Sequence, residues 1–355
     1  MKPHLKTHQL NFQIPSVGFL ALGDLLFVAA RYLFLSAAAL AILCGCKPYA
    51  DDAGARPIRV ADFYRPGAYW IGIAAAKGWF RESGLNIHLV YYHANDPASE
   101  KDLVEGRLDV DTFGLFDLLG YIARGADLVA ILNADYSAGS EKLIAHHAIE
   151  RLADLKGKKI AVSQNSYFAN ILEVALGRAG LNIQDVQIVD IPTEKTAEAL
   201  IKGEVDAALT FEPYATQGLD AIKGHVLFDT SQAPGLSPTL MIVQRKFIEG
   251  RPNDVSAFVK VWQRTTIFIK EHPDEAFGII AILNKKTPAE VRQFAGLYKI
   301  LDVRDNVQAF SFAAGFDSLH GAVRQVNDFM IARGITDKKL DSSYFLEGSF
   351  IHSLQ

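Results

Sequence analysis

The chain has 355 residues, which is long enough for one large domain or two medium ones with a hydrophobic core. Its 36 basic and 40 acidic residues give a net charge of −4, so no basic excess indicates nucleic-acid binding. The two cysteines are Cys44 and Cys46, which excludes a disulfide framework, thiol catalysis and cysteine metal sites in the rest of the chain.

The N-terminal segment has the features of a bacterial export signal. Arg31 is followed by the mostly apolar run 32–43, which is typical of the hydrophobic region of a signal peptide. This run is short for a membrane-spanning helix, which needs ~20 residues. We therefore predict an exported chain, with an uncleaved anchor helix as the alternative.

A lipidation motif follows the apolar run. Leu43-Cys44-Gly45-Cys46 resembles the bacterial lipobox, and the small residue before Cys46 favours Cys46 as the lipid acceptor. We expect 1–45 to be a lipoprotein signal peptide and 46–57 to be a polar tether. With either a lipid or an uncleaved helix, the rest of the chain would be periplasmic or extracytoplasmic and anchored to a bacterial membrane.

Short apolar runs alternate with amphipathic segments from residue 58 onward, which predicts an α/β protein. Strands are predicted at 58–63, 87–92, 110–113, 128–133, 143–147, 159–162, 186–190, 207–210, 225–228 and 240–243. Helices are predicted at 69–77, 115–124, 166–178 and 195–202, and from Pro97 and Pro213 onward. The alternation implies parallel sheets that are covered on both faces. After residue 245 the chain is largely helical, with a long final helix at 312–333.

Two short phrases occur twice, in the same order, and outline two similar units. Gly84-Leu85-Asn86-Ile87 returns as Gly180-Leu181-Asn182-Ile183, and Gly106-Arg107-Leu108-Asp109 is matched by Gly203-Glu204-Val205-Asp206. Phrases of this kind are common in turns, but two pairs in register favour a duplication. We therefore predict two α/β lobes with a ligand cleft between them.

The repeat also predicts how the chain divides into lobes. Lobe 1 would be discontinuous, with residues 58–137 and 240–355, and lobe 2 would contain residues 138–239. The helices after residue 245 have no partner in the second unit, so we expect them to pack on the first.

Five segments in order carry a family resemblance. They are Ala74–Leu85, with the pattern Ala-x-x-x-Gly-x-Phe-x-x-x-Gly-Leu, Gly106–Asp109, Asp154–Val162, Gly203–Ala208 and Phe211–Pro213. Together they resemble the nitrate/sulfonate/taurine (NitT/TauT, NMT1-like) family of extracytoplasmic solute-binding proteins of ABC importers. The resemblance extends over about residues 58–245 and implies a type II periplasmic-binding-protein fold. In this fold two extended crossovers, here near 137–146 and 230–243, would join the lobes.

The resemblance implies a substrate-binding lipoprotein rather than an enzyme. Such a protein captures a small anionic or zwitterionic solute, like nitrate, a sulfonate or taurine, and delivers it to the permease of an ABC transporter. It is expected to be a monomer and to need no cofactor or metal. The alternative is the binding or synthesis of a thiamine-pyrimidine precursor on the same fold. The sequence leaves the identity of the solute open.

A strand-to-helix turn in the second unit is a candidate ligand site. Gln164, Asn165, Ser166 and Tyr167 follow a predicted strand and open a helix. Free backbone N–H groups at such a helix start attract anions. Ordinary helix capping by Asn165 or Ser166 explains the same residues without a ligand.

The equivalent loop of the first unit contains Tyr64, Arg65, Gly67, Tyr69 and Trp70. Arg65 could clamp an oxyanion through two parallel hydrogen bonds, and Tyr69 and Trp70 could supply a flat wall. Alternatively, Arg65 is solvated and Trp70 belongs to the core.

Further candidate ligand residues lie at strand ends and crossovers. Phe113, Gly114 and Phe116 end a strand of the first unit, and Gly114 allows close approach to the backbone. Tyr136 and Ser137 lie at the first crossover and resemble an Asp-Tyr-Ser phrase of part of the family, and Pro234 lies at the second. Glu212 could meet an amine or amide of the solute, or it could cap a helix.

No residue pattern indicates catalysis or metal binding. The sequence has no Gly-x-Ser-x-Gly, His-Glu-x-x-His or glycine-rich phosphate loop. His146 and His147 are adjacent on a predicted strand, where neighbouring side chains point to opposite faces, so we expect no joint chelation.

Overall fold

The computed structural model describes residues 56–93 and 97–354. The predicted signal peptide, Cys46 and most of the tether lie outside these described residues. Within them, no helix is long and apolar enough to span a membrane.

The first sheet has six strands in the order β11-β4-β10-β3-β1-β2. The strands are β1 (Ile58–Asp62), β2 (Ile87–Tyr91), β3 (Val110–Gly114), β4 (Leu128–Ser137), β10 (Pro238–Gln244) and β11 (Tyr298–Ile300). β1 pairs in parallel with β2 and β3, whereas β10 is antiparallel to both β3 and β4.

The second sheet has five strands in the order β7-β6-β8-β5-β9. These are β5 (Glu141–Ala145), β6 (Lys159–Val162), β7 (Gln187–Asp190), β8 (Ala207–Phe211) and β9 (His225–Asp229). β6 is parallel to β7 and β8, and β5 is antiparallel to β8 and β9. Each sheet therefore has three parallel strands with the first in the middle, followed by an antiparallel strand that belongs to a crossover.

Helices cover the faces of both sheets. In lobe 1, built on the first sheet, they are α1 (Ile71–Ala76), α2 (Trp79–Glu82), α3 (Ala98–Val104) and α4 (Leu115–Ala123). In lobe 2, built on the second sheet, they are α5 (Tyr167–Gly177), α6 (Thr193–Ile201) and α7 (Tyr214–Ile222). The C-terminal helices are α8 (Arg245–Gly250), α9 (Pro252–Glu271), α10 (Pro273–Asn284), α11 (Pro288–Ala295), α12 (Val303–Ala309), α13 (Leu319–Ala332) and α14 (Ser349–His352).

The repeated phrases occupy equivalent places in the two lobes. Gly84 and Gly180 end a helix before the second parallel strand, with φ of 75° and 68°. A left-handed backbone of this kind favours glycine. The aspartates of the repeat both accept a hydrogen bond from the start of the first parallel strand of their lobe. Asp109 accepts from the backbone N–H of Arg59 at 2.9 Å, and Asp206 accepts from that of Lys159 at 2.8 Å. The glycine and the aspartate of the repeated phrases thus have the same structural roles in both lobes.

The C-terminal elements pack on the first sheet. β11 pairs with β4, and the Asn306 amide exchanges hydrogen bonds with the backbone of Asn133, accepting from N at 2.8 Å and donating to O at 2.9 Å. The Trp262 indole donates to the carbonyl of Leu301 at 3.2 Å. These buried bonds fix the C-terminal segment to the centre of lobe 1.

The prediction of one long helix at 312–333 is wrong, because α13 begins only at Leu319. The preceding segment folds back on the first turn of α13, so that a Cβ at Gly321 would lie 2.3 Å from the carbonyl oxygen of Gly315. The Ser318 hydroxyl donates to the carbonyl of Ser311 at 2.5 Å and holds this turn. Tertiary packing therefore replaces about two turns of the predicted helix.

Candidate functional site

A cleft between the two lobes is lined by residues of both. Its main cavity has a volume of about 300 Å³, and a smaller one has about 80 Å³. Both cavities are lined by Arg65, Asp117 and Tyr298 of lobe 1 and by Glu141 and Tyr167 of lobe 2. They are therefore adjoining parts of one site.

Arg65 projects into this cleft from the loop after β1. Its Nη2 donates to the carbonyl of Thr112 at 2.7 Å, and its Cζ lies 4.9 Å from the centre of the Phe63 ring. Its Nε is buried and has no hydrogen-bond partner among the described residues. The guanidinium is thus held in place by the protein but retains a free donor.

Gly67 makes the Arg65 loop possible. Its φ is +79°, and a Cβ there would lie 2.8 Å from Thr239 Cγ2 and 3.0 Å from Asp135 Oδ2. Both the backbone conformation and the close approach favour glycine. Gly67 therefore shapes the loop, although it lies outside the cavity lining.

Tyr69 and Trp70 lie in the core of lobe 1 and do not line the cavities. They are 1% and 0% exposed, and their rings meet edge to face at 4.6 Å. Trp70 also lies 6.0 Å from Phe277 of α10. The structure corrects the prediction of a flat ligand wall here, because the α1 start turns both side chains inward. Tyr64, by contrast, lines the main cavity and stacks on Tyr69 at 5.4 Å.

Aromatic rings from both lobes form the walls that Tyr69 and Trp70 do not provide. Lobe 1 contributes Phe63, Tyr64, Phe294 and Tyr298, and lobe 2 contributes Tyr167, Phe168 and Phe211. Phe294 and Tyr298 meet edge to face at 5.7 Å, and Phe168 and Phe211 lie 5.9 Å apart. Phe294 and Tyr298 were missed because they belong to the C-terminal helical segment, far from the family motifs in sequence.

The start of α5 is an ordinary capped helix end. The Ser166 hydroxyl accepts from the N–H of Phe168 at 3.2 Å and donates to the carbonyl of Ser163 at 2.8 Å. The backbone N–H of Gln164 donates to Asp190, and Asn165 is exposed. Of the predicted residues at this turn, the structure brings only Tyr167 into the cavity lining.

The remaining predicted residues divide between the small cavity, the core and the surface. Gly114 and Phe116 line the small cavity, whereas Phe113 is buried against Tyr121 with ring centres 6.0 Å apart. Strand alternation explains this division, since Phe113 points to the opposite face from its neighbours.

The crossover residues have structural contacts of their own. The Ser137 hydroxyl lies 2.7 Å from the Thr230 hydroxyl and so joins the two crossovers. Tyr136 is half-buried on β4 beside β10 and β11, and Pro234 is exposed. None of Tyr136, Ser137 and Pro234 lines the two cavities.

Glu212 lines the main cavity and also has partners within the protein. Its Oε1 lies 3.0 Å from Lys142 Nζ, and its Oε2 accepts from the N–H of Thr216 at 3.1 Å. The capping role and the cavity position therefore coexist, and Lys142 offsets the charge.

Carboxyl groups in and behind the cavity wall are the main feature that sequence reasoning missed. Glu100, Asp117 and Glu141 line the cavity, and Asp111 and Asp135 are buried behind it, 1% and 0% exposed. Asp111 and Asp135 interrupt apolar strands, which is the sequence signal that could have revealed them.

Burial raises the pKa of all five carboxyl groups. The pKa rises to about 7 for Glu100, Asp111 and Asp135 because each is desolvated, with the nearby Asp117 adding repulsion at Glu100. Burial also raises the pKa of Asp117 and of Glu141, although hydroxyl groups bonded to Glu141 work in the opposite direction. A shared desolvation of this kind is typical of binding and catalytic clefts.

The described residues contain no group of three or more His, Cys, Asp and Glu side chains that could hold a metal ion. Strand alternation does not separate His146 and His147 as predicted, because β5 ends at Ala145 and both residues follow it. The two imidazole rings lie in the following turn, with centres 4.2 Å apart.

The strand order, the two crossovers and the shared cleft define a type II periplasmic-binding-protein fold with two α/β lobes. The family model described as "NMT1/THI5 like" matches residues 68–276, which is more than half of the chain. The chain belongs to this family.

The comparisons identify solute-binding proteins as relatives. A protein of Bacillus subtilis (strain 168) that is named for aliphatic sulfonate binding is 29% identical over 290 residues, covering 79% of this chain and 82% of the relative. The taurine-binding periplasmic protein of Escherichia coli (strain K12) is 28% identical over 210 residues, covering 58% of this chain and 65% of the relative. The crystal structure of the periplasmic aliphatic sulphonate binding protein SsuA from Escherichia coli matches with a TM-score of 0.64 and 18% identity, covering 82% of this chain and 97% of that one.

Proposed function

We propose that this chain is the substrate-binding lipoprotein of an ABC importer and not an enzyme. It captures a small solute between its lobes outside the cytoplasm and delivers the solute to a membrane permease. The observation that carries the proposal is a cavity of about 300 Å³ lined from both lobes, in a member of a family whose relatives are binding proteins. A cavity of this size suits a small organic molecule.

The lobes close over the solute by a hinge motion. A solute that contacts both Arg65 and Tyr167 binds the closed form more tightly than the open one, and this differential affinity shifts the equilibrium. We place the hinge at the two crossovers and retain the predicted boundaries, 58–137 with 240–355 for lobe 1 and 138–239 for lobe 2. The closed monomer then docks on the permease, without a cofactor or metal.

The solute has an anionic group that meets Arg65. This guanidinium has a free buried donor and makes no ion pair within 4 Å among the described residues. Of the anionic and zwitterionic classes predicted from the sequence, the zwitterions fit the lining better, because carboxyl groups surround Arg65. The nitrate, sulfonate and taurine classes, and thiamine-pyrimidine precursors as the alternative, are the compounds to screen.

A thermal-shift screen tests solute binding directly. A saturating ligand raises stability by ~2.7 kcal/mol when its concentration is a hundredfold above its Kd. For the solute that raises Tm most, Tyr167→Ala should weaken binding by about tenfold or more, equivalent to ~1.4 kcal/mol. Tyr344→Ala is the matched control, since Tyr344 is 73% exposed and is not among the residues that line the two cavities. Equal affinities for both variants and the parent chain would show that the cleft is not the site.

The lipid anchor is tested separately. In cells labelled with a radioactive fatty acid, the parent chain should incorporate label and sediment with membranes. Cys46→Ala should lose the label and Cys44→Ala should keep it. Retention of label by the Cys46→Ala chain would contradict lipidation at this residue.

A further inference from the structure

We infer that the solute carries a positively charged nitrogen, which the carboxyl groups and aromatic rings of the cleft hold, and that a bare organic anion is not the natural ligand. This inference rests on the proposed function, since it assumes that the cleft captures a solute. It adds the chemical class of that solute and assigns the cation-binding role to Glu100, Asp117 and Glu141.

Several carboxyl groups of the cavity lining have no cationic partner in the part of the chain that the structure describes. Glu212 is offset by Lys142 at 3.0 Å, and Glu194 is exposed to solvent. The three remaining carboxyl groups, of Glu100, Asp117 and Glu141, make no ion pair within 4 Å among the described residues, and the same lining contributes one guanidinium, that of Arg65. The inner cleft therefore has more acidic than basic groups, and their ionised fraction repels an anion that has no compensating positive charge.

Glu141 is the best-placed of these groups. The residue is 4% exposed and lines both cavities. Its side-chain hydrogen-bond partners are hydroxyl groups, of Tyr167 at 3.3 Å, of Thr230 at 3.2 Å and of Ser137. Hydroxyl donors orient a carboxylate without neutralising it. A buried carboxylate that the protein leaves without a cation is a site for a cationic ligand group.

The cavity wall gives an independent argument. Phe168, Phe211, Phe294 and Tyr298 line the main cavity from both lobes. The faces of aromatic rings attract cations, and the attraction grows to ~2 kcal/mol when the cation is desolvated. The hydroxyl of Thr112, a residue that is 2% exposed and lines the same cavity, also has no partner among the described residues. Rings, carboxyl groups and a free hydroxyl together match an organic ammonium.

Proton linkage should accompany binding. Burial raises the pKa of Glu100 to about 7, so this group is part-protonated in the empty cleft at neutral pH. The groups that face it are Asp111, Asp117, Arg65 and Tyr121. A cation favours the ionised carboxylates, so its binding releases protons, whereas a bare anion would be bound with proton uptake.

Matched pairs of solutes test the inference on the parent chain. Taurine and ethanesulfonate, β-alanine and propionate, and 4-(aminomethyl)benzoate and 4-methylbenzoate differ within each pair by one ammonium group. We expect the ammonium member to raise Tm more, and titration calorimetry in two buffers of different ionisation enthalpy to show net proton release at pH 7. Equal or larger shifts with the ammonium-free members would overturn the inference and leave the proposed function standing. If neither these solutes nor a small-molecule extract of the source cells raised Tm, the proposed function would fail and this inference with it.

The variant Glu141→Gln distinguishes a cationic solute from an anion, because it should change their affinities in opposite directions. For a cationic solute the change should weaken binding by about tenfold, because a charge-assisted contact is lost. For an anion it should strengthen binding, because a repulsive charge is removed. Glu204→Gln is the matched control, in the same lobe but exposed and outside the cavity lining, and should change affinity by less than about twofold. If Glu141→Gln changes the Tm of the ligand-free protein, Glu100→Gln provides a second test of the same charge effect. It should also weaken the binding of a cationic solute. Tighter binding in both Gln variants would overturn the assignment.

Discussion

Substitution of the two repeat aspartates tests how each lobe is held together. Asp109 and Asp206 both bridge the first and third parallel strands of their lobes, but their surroundings differ. Asp109 accepts from the N–H of Arg59 at 2.9 Å and from the Arg59 guanidinium at 2.9 and 3.0 Å. Its side chain is 6% exposed and that of Arg59 is 25% exposed. Asp206 accepts from the N–H of Lys159 at 2.8 Å.

These contacts set the expected cost of each alanine substitution. The backbone bond contributes ~1 kcal/mol in either lobe, and the charge-assisted bonds from Arg59 add ~1.5–3 kcal/mol before a discount for the partial exposure of Arg59. Arg56, which is 57% exposed, adds little. We therefore expect Asp109→Ala to lower the free energy of unfolding by ~3 kcal/mol and Asp206→Ala by ~1 kcal/mol.

Urea denaturation followed by far-UV circular dichroism measures both lobes together. Tryptophan fluorescence reports on lobe 1, because Trp70, Trp79 and Trp262 are all buried there. Coincident transitions by the two probes would justify a two-state analysis. A loss for Asp206→Ala that equals or exceeds the loss for Asp109→Ala would refute this assignment of the contacts.

Three further changes have defined outcomes. In urea denaturation, Gly67→Ala should lower the free energy of unfolding by ~1–3 kcal/mol more than Gly157→Ala. Both glycines have positive φ, but a Cβ at Gly157 meets nothing within 4 Å. Equal losses would contradict the close approach at Gly67. Asn306→Ala should cost ~2–5 kcal/mol by the same measurement, since it leaves two buried backbone groups of β4 unpaired, and a loss below ~1 kcal/mol would contradict this. The empty protein should be more stable in urea at pH 5.5 than at pH 8. Carboxyl groups whose folded pKa is raised to about 7, such as Asp111 and Asp135, take up protons on folding, so stability falls as pH rises through 7, and a higher stability at pH 8 would contradict the burial of charge.

Most strands and helices of the two repeats could be predicted from sequence because their signals are local. The apolar run before Gly84 and the phrase after it define a helix end and a strand whatever lies elsewhere in the fold. β11 was missed because a three-residue edge strand has no periodicity of its own and exists through its pairing with β4. The predicted helix at 312–333 begins late for the same reason, since Gly321 and Ser318 make contacts with residues before α13 that no local pattern indicates.

The cleft was only partly predictable. Tyr64, Arg65 and Tyr167 follow strands that end at the lobe interface, which sequence position alone indicates. The division between Tyr64, which faces the cavity, and Trp70, which faces the core, depends on how the α1 start is oriented on the sheet. The carboxyl cluster comes from separate elements in both lobes, so only the folded chain shows that these acids converge.

The central claim is that a solute closes two lobes over one another, and a distance measurement tests it most directly. Cys44→Ser and Cys46→Ser would remove the natural thiols, and Lys101→Cys on α3 and Lys202→Cys after α6 would place one spin label on each lobe at exposed positions. With the solute that raises Tm most, we predict that pulsed electron spin resonance shows a shorter and narrower distance distribution. The same distribution with and without saturating solute would contradict closure between the lobes.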